Sequence, residues 1–366
     1  MATAERLAVP AGHPALLWES LPGGRARCDV CLRRCEIADG KRGWCGTRVN
    51  RKGRVFSLIY GKVASLAVSP IEKKPLFHFY PGSRWLSLGS LGCNFRCPGC
   101  QNWDIAHALD RASHRTPGTV KLQETGFLAP RQVVTLAREH RCLGISWTYN
   151  EPTLWFEYVL EGARAAREVG LLTNLVTNGS ITPEALDLLG PWLDSFRVDL
   201  KGFTSKLYRR LAHLTDFSGI LSATSRAAHR WGAWVEVVTN VTPGFNDDEE
   251  QLSGIASWIR RELGPQTPWH VTRFVPRLRL AHLEATPVST LERAREIGLA
   301  AGLSYVYLGN VSGHGAENTH CAACGELLIR RVGPAIVEFR LSGGRCPGCG
   351  AAVPGRFGAA RAGSPA

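Results

Sequence analysis

The chain predicts an α/β protein: a partial, TIM-like (β/α)6 barrel with a small cysteine-rich module before it and a four-cysteine, zinc-ribbon-like module after it. Three observations carry this. Short runs rich in Val, Leu, Ile and aromatics alternate with longer helical patterns over residues 83–312. Four cysteines crowd into residues 1–55, among Gly, Arg and Asp with little periodicity. Two Cys-x2-Cys pairs, 21 residues apart, lie within residues 318–353.

Taken in order, the strand candidates are Trp85–Leu88, Gly144–Tyr149, Leu172–Thr177, Ser195–Leu200, Trp234–Val241, Trp269–Val275 and Tyr305–Leu308. Helical spacing falls between them, near 130–140, 153–169, 182–190, 204–212, 216–231, 247–262 and 289–302. Start signals support several helices: Pro152 after Glu151, Thr182 before Pro183, and Asn246 before an acidic turn from Asp247 to Glu250. Strands alternating with helices give a parallel sheet, and six or seven such units fit a partial barrel better than a doubly wound sheet. In a barrel the chemistry sits at the C-terminal strand ends. Polar residues fall there in succession: Cys93, Asn150 with Glu151, Thr177 with Asn178, Asp199 with Lys201, then Asn240 and Arg273. One or two such placements are ordinary turn chemistry, but six argue for a site. Residues 354–366, rich in Pro and small side chains, are expected to be a disordered tail.

A composition of 44% hydrophobic and 20% charged residues is that of a globular protein, and no apolar run approaches the roughly 18 residues of a membrane span. A cytoplasmic enzyme is expected. The formal charge of +13 suggests nucleic acid, but it counts every cysteine as neutral. Metal-bound thiolates would lower it by several units, and Phe339 is the only aromatic between the C-terminal knuckles. Nucleic acid is therefore not expected as a partner.

Of the twelve cysteines, only Cys142 stands apart from a tight group, and it reads as a buried small hydrophobe. Cys93, Cys97 and Cys100, in "GCNFRCPGCQNW", can hold three corners of a cuboidal iron–sulfur cluster and leave the fourth iron open. Cys321, Cys324, Cys346 and Cys349, with Gly325 and Gly350 after each pair, have ribbon spacing for tetrahedral zinc, and a four-thiolate cluster also fits. Cys28, Cys31, Cys35 and Cys45 fit either structural zinc or an auxiliary 4Fe-4S cluster, with the structural role slightly favoured.

The C-x3-C-x2-C of Cys93, Cys97 and Cys100, with Phe95 between the first two, resembles the signature of the radical S-adenosylmethionine (SAM) superfamily. "SLAVSPIEKKPLFHFYPGS", "TYNEPT", "VTNG", "VDLKGF", "PWHVTRFVP" and "GNVSGHGAENTHCAACG" are similar to the AmmeMemoRadiSam radical enzymes, relatives of the pyruvate formate-lyase activating enzymes. The resemblance implies a 4Fe-4S cluster whose open iron binds SAM, and a 5′-deoxyadenosyl radical that abstracts hydrogen from a substrate. It also implies that Asn150 and Glu151 meet the methionyl amino group, and that Thr177, Asn178, Asp199 and Lys201 line the cofactor pocket. Gly99 replaces an aromatic common in relatives, which leaves one face of the cluster less packed. At Leu32 and Arg33, where relatives commonly carry Pro-His, no histidine is available as a ligand.

Two substrate classes follow from the resemblance. One is a small molecule or residue processed with Memo-type and AMMECR-type proteins. The other is a glycyl radical protein activated in the pyruvate formate-lyase manner. An RNA-modifying or nucleic-acid-binding metalloprotein ranks below both. The implied electron donor is a flavodoxin or ferredoxin.

Overall fold

The computed structural model describes residues 12–110 and 122–358. One mixed sheet organises it. Its strands are β1 (Ser65–Pro70), β2 (Arg84–Gly89), β3 (Gly144–Trp147), β4 (Leu172–Thr177), β5 (Ser195–Asp199), β6 (Trp234–Val241), β7 (Trp269–Arg273) and β8 (Val306–Gly309). They lie side by side in sequence order, β2 to β8 all parallel and β1 antiparallel on the β2 edge. No pairing closes β8 onto β1 among the described residues, so the barrel is partial.

The crossovers carry α1 (Pro130–Glu139), α2 (Phe156–Glu168), α3 (Pro183–Leu189), α4 (Ser205–Ala212), α5 (Ser218–His229), α6 (Glu249–Trp258) and α7 (Val288–Ala300). That is six crossovers, the count expected, and a seventh parallel strand ends the series. The strands form here because their side chains are covered on both faces, which suits nearly continuous apolar and β-branched sequence. The helix starts follow side-chain chemistry: Thr182 accepts from Ala185 N–H, Thr204 from Leu207 N–H and Asp248 from Gln251 N–H. Asn246 does not open α6. Its amide instead donates to Lys201 O and Asn240 O, stitching the β5 and β6 ends together.

Trp85, Trp147, Trp155 and Trp269 are fully buried and help fill the sheet–helix interior. At the opposite end from the cysteine loop, a polar network joins three segments. Glu236 on β6 accepts from Phe77 N–H, His78 N–H and Trp234 Nε1, and lies 2.7 Å from His270 Nε2 on β7. Burial pushes His270 below its ordinary value, so a neutral imidazole packs against an ionised carboxylate.

The C-terminal module, strands Thr319–His320, Leu327–Val332 and Ala335–Phe339, docks onto this network. Buried Arg331 donates to Phe77 O and Thr319 Oγ1. Residues 354–358, grouped above with the disordered tail, lie against the barrel: Arg356 N–H donates to His78 O, and Pro354 O is 2.6 Å from His78 Nδ1. Residues 359–366 lie outside the described residues. The N-terminal module is two small antiparallel sheets, despite its lack of periodicity. Its Arg48 makes a buried bidentate pair with Glu157 of α2, both contacts 2.9 Å.

Candidate catalytic cluster site

Cys93, Cys97 and Cys100 sit on the loop that leaves the C-terminal end of β2. Four asparagines set its shape. Asn150, after β3, accepts from Ser90 N–H and donates to Gly92 O. Asn102, in the "QNW" after the third cysteine, donates to Tyr149 O at 2.6 Å. Asn178, after β4, donates to Asn94 Oδ1 at 2.8 Å and reaches the Cys93 sulfur at 3.9 Å. Asn94 in turn donates to Ser180 O. Arg96 braces the loop from outside, bonding Cys93 O and Trp44 O and pairing with Asp110.

The loop also needs glycine at two points. Gly92 has φ +85°, and a Cβ there would come 2.6 Å from Thr47 Cγ2 and 3.0 Å from Cys45 O of the N-terminal module. At Gly99 a Cβ would meet Phe274 at 2.8 Å and Leu280 at 3.1 Å. The face expected to be less packed for want of a local aromatic is thus covered by Phe274, which arrives from the end of β7.

All nine expected catalytic and cofactor residues, Cys93, Cys97, Cys100, Asn150, Glu151, Thr177, Asn178, Asp199 and Lys201, line one cleft of about 1830 Å³, its open mouth included. Glu151 is buried and accepts from Thr153 N–H, Thr177 Oγ1 and Asn178 N–H. It therefore caps the turn at Pro152 and also ties β3 to β4. Burial raises its pKa against these three donors. Asn150 has both amide atoms engaged by the loop, so its observed contacts position the cysteines. Asp199 pairs with Arg197 at 2.9 Å and with Lys201 at 3.9 Å. Burial acts to raise its pKa, but the two cations outweigh it and hold the carboxyl below its usual range.

Sequence reasoning passed over Lys74 and Arg197. Lys74, in the connection from β1 to β2, is buried, and its ammonium donates to Ser69 Oγ and lies over the Tyr149 ring. Among the described residues no carboxylate pairs with it. Burial, together with Lys73 and Arg197, lowers its pKa to about 8. Arg197 has a buried Nε without a partner. The signal for Arg197 was its period-two register with Asp199 and Lys201; Lys74 lay in a quoted motif with nothing to aim it.

The outer groups differ. In the C-terminal module Cys321 Sγ lies 3.7 Å from Cys349 Sγ and Cys324 Sγ 3.7 Å from Cys346 Sγ, and all four sulfurs fall within 4.8 Å of one another. The N-terminal four line a small enclosed cavity.

A family model of the Radical SAM superfamily matches residues 88–254, which include the cysteine loop and five strand ends. The chain belongs to the radical SAM superfamily. It is 40% identical to Uncharacterized protein MJ0808 of Methanocaldococcus jannaschii over 338 residues, covering 92% of this chain and 97% of that one. It is 25% identical to the pyruvate formate-lyase 1-activating enzyme of Escherichia coli over 187 residues, 49% of this chain and 70% of that one. Among solved structures, a radical SAM methyltransferase from Sphaerobacter thermophilus overlays with a TM-score of 0.48 at 19% identity, covering 68% of this chain and 71% of that one. Membership in the radical SAM superfamily makes the chain an enzyme and implies a 4Fe-4S cluster and SAM. The site fits them: three thiols share one loop, no fourth cysteine lines the cleft among the described residues, and the empty space beyond them is bordered by both carboxylates and cations. Burial pushes the Cys100 thiol up to about 12, so loading the cluster must displace protons from these cysteines. Among the described residues no helix is long and apolar enough to cross a membrane.

Proposed function

We propose that this protein cleaves SAM reductively and abstracts a hydrogen atom from a substrate that carries an anionic group. The carrying observation is the three-thiol loop opening into a cleft with no fourth cysteine on its wall among the described residues. Cys93, Cys97 and Cys100 hold the cluster. When loaded, cluster and SAM supply a 5′-deoxyadenosyl radical, which is the hydrogen-abstracting agent.

The chain's own residues do the rest. Asn150, Asn178 and Asn102 fix the loop, and Glu151 with Thr177 shapes the wall beside it. The Arg197–Asp199–Lys201 row gives the opposite wall fixed charge of both signs. Lys74, a buried ammonium with no carboxylate partner among the described residues, and the buried Arg197 Nε, which has no acceptor, support an acidic group on the ligand. The four sulfurs of the C-terminal module support zinc, since a tetrahedral ion with Zn–S of about 2.3 Å sets its thiolates about 3.8 Å apart.

The motifs favour a substrate handled together with Memo-type and AMMECR-type proteins, with reduced flavodoxin or ferredoxin as donor. A second reading, activation of a glycyl radical protein, is favoured by the 25% identity to the pyruvate formate-lyase 1-activating enzyme. The test is anaerobic reconstitution with iron and sulfide, reduction with SAM present, and assay for 5′-deoxyadenosine. Reconstituted protein that makes none would overturn the proposal, as would a Cys97→Ala variant that keeps wild-type production. A purified Memo-type or AMMECR-type protein that raises turnover favours the first substrate class, and a radical signal on an added glycyl radical protein favours the second.

A further inference from the structure

The cysteines of the N-terminal module differ from those of the C-terminal module in one decisive respect. In the C-terminal module all four sulfurs gather within 4.8 Å of one another, close enough for a single ion. Among the described residues no other three cysteines do so, neither Cys28, Cys31, Cys35 and Cys45 nor the three on the cluster loop. The N-terminal four instead line one small cavity, which they share with the apolar Val30, Ile37 and Leu154. None of them is in a disulfide. Like the three thiols of the cluster loop, they do not gather as closely as the compact quartet.

The cavity wall also carries charge. Arg48 lines it, is 1% exposed, and sends both terminal nitrogens to Glu157 while its Nε has no partner. Arg33 lines it as well, anchored by bonds to Asn94 O and His213 O. A buried donor without an acceptor, beside four thiols that do not bond one another, calls for an anionic occupant rich in sulfur. The backbone holds the arrangement open: Cys28 N–H donates to Cys35 O, and Arg34 takes a positive φ of 39° to turn the chain between Cys31 and Cys35.

We propose that Cys28, Cys31, Cys35 and Cys45 hold a second 4Fe-4S cluster rather than a zinc ion. A single zinc would need thiolates about 3.8 Å apart, whereas a cuboidal cluster binds each thiolate to a different iron and spaces them wider. Four thiolates fill all four corners, so this cluster has no open iron and its chemistry is confined to gaining and losing one electron. Asn94 belongs to both neighbourhoods: it lines this cavity and directly follows Cys93. The second cluster thus sits one residue layer behind the first.

The experiment uses the full chain with Cys93, Cys97 and Cys100 all changed to Ala, so its outcome does not depend on the radical chemistry. After anaerobic reconstitution with iron and sulfide, the triple variant is expected to keep about four irons and four sulfides and about one zinc per chain, and to show a paramagnetic signal after dithionite reduction. Adding Cys31→Ala and Cys45→Ala should remove the iron and leave the zinc. About two zincs and no iron in the triple variant would overturn the proposal. So would iron that survives Cys31→Ala with Cys45→Ala but is lost with Cys321→Ser and Cys346→Ser. If the five-cysteine variant does not fold, iron- and zinc-edge X-ray absorption on the triple variant decides, with zinc in two sites and no iron overturning it.

Discussion

The C-terminal quartet and the cluster loop both gather thiols, but they are held by opposite means. In the quartet each pair is shaped by its own turn: Gly325 N–H donates to Cys321 O and Gly350 N–H to Cys346 O, with both glycines at positive φ. On the loop the shape comes from far along the chain, from Asn150, Asn178, Phe274 and the N-terminal Thr47. A locally built metal knot can form wherever its sequence goes. The loop acquires its form only inside the finished barrel, and so changes at a distance should disturb it while sparing the quartet.

The largest effect tests the loop's own ligand. Cys97→Ala is expected to bring 5′-deoxyadenosine formation to background and to lower iron content, with zinc unchanged, as measured by chromatography and metal analysis. Next comes the buried ion pair that seats the N-terminal module. Glu157→Gln leaves Arg48 buried without its countercharge and is expected to cost about 3–5 kcal/mol, read from the urea midpoint. A variant with wild-type stability would show that the module is not fastened there.

Asn178→Ala should lower 5′-deoxyadenosine formation about tenfold to a hundredfold, the usual cost of losing a group that orients a ligand, with a near-normal urea midpoint. Lys74 comes from the β1–β2 connection, and its ammonium loses its proton near pH 8. Binding of an acidic ligand should therefore weaken as pH rises through about 8, visible in KM, and Lys74→Met should raise KM and abolish that step. The smallest effect belongs to the locally built region. Gly350→Ala, at φ +74°, should cost about 1–2 kcal/mol of module stability, leaving iron content and 5′-deoxyadenosine formation unaltered.

The same contrast explains what could be read from the sequence. Leu172–Thr177 and Trp234–Val241 were legible residue for residue, because runs of β-branched and apolar side chains bounded by turn residues mark buried strands. The helices were nearly as clear, since their caps are local. The three cluster cysteines were legible from their spacing, and their neighbours from their place after strands. The partner that fills the space at Gly99 was not, because Phe274 stands 175 residues away in the chain. Nor was the antiparallel edge strand β1, whose Pro70 and exposed Leu66 weaken a strand pattern that only its pairing with β2 completes. Lys74 and the pinned segment 354–358 share this trait: their roles are set by neighbours brought up in folding.

The close fit of Gly92 against Thr47 and Cys45 also bears on biosynthesis. The ribosome releases the N-terminal module before the loop, so the wall on which the loop rests is made first. The strand-end asparagines at 150 and 178 arrive later still. The loop's supports are therefore all in place only once the chain has been made at least as far as the residues after β4.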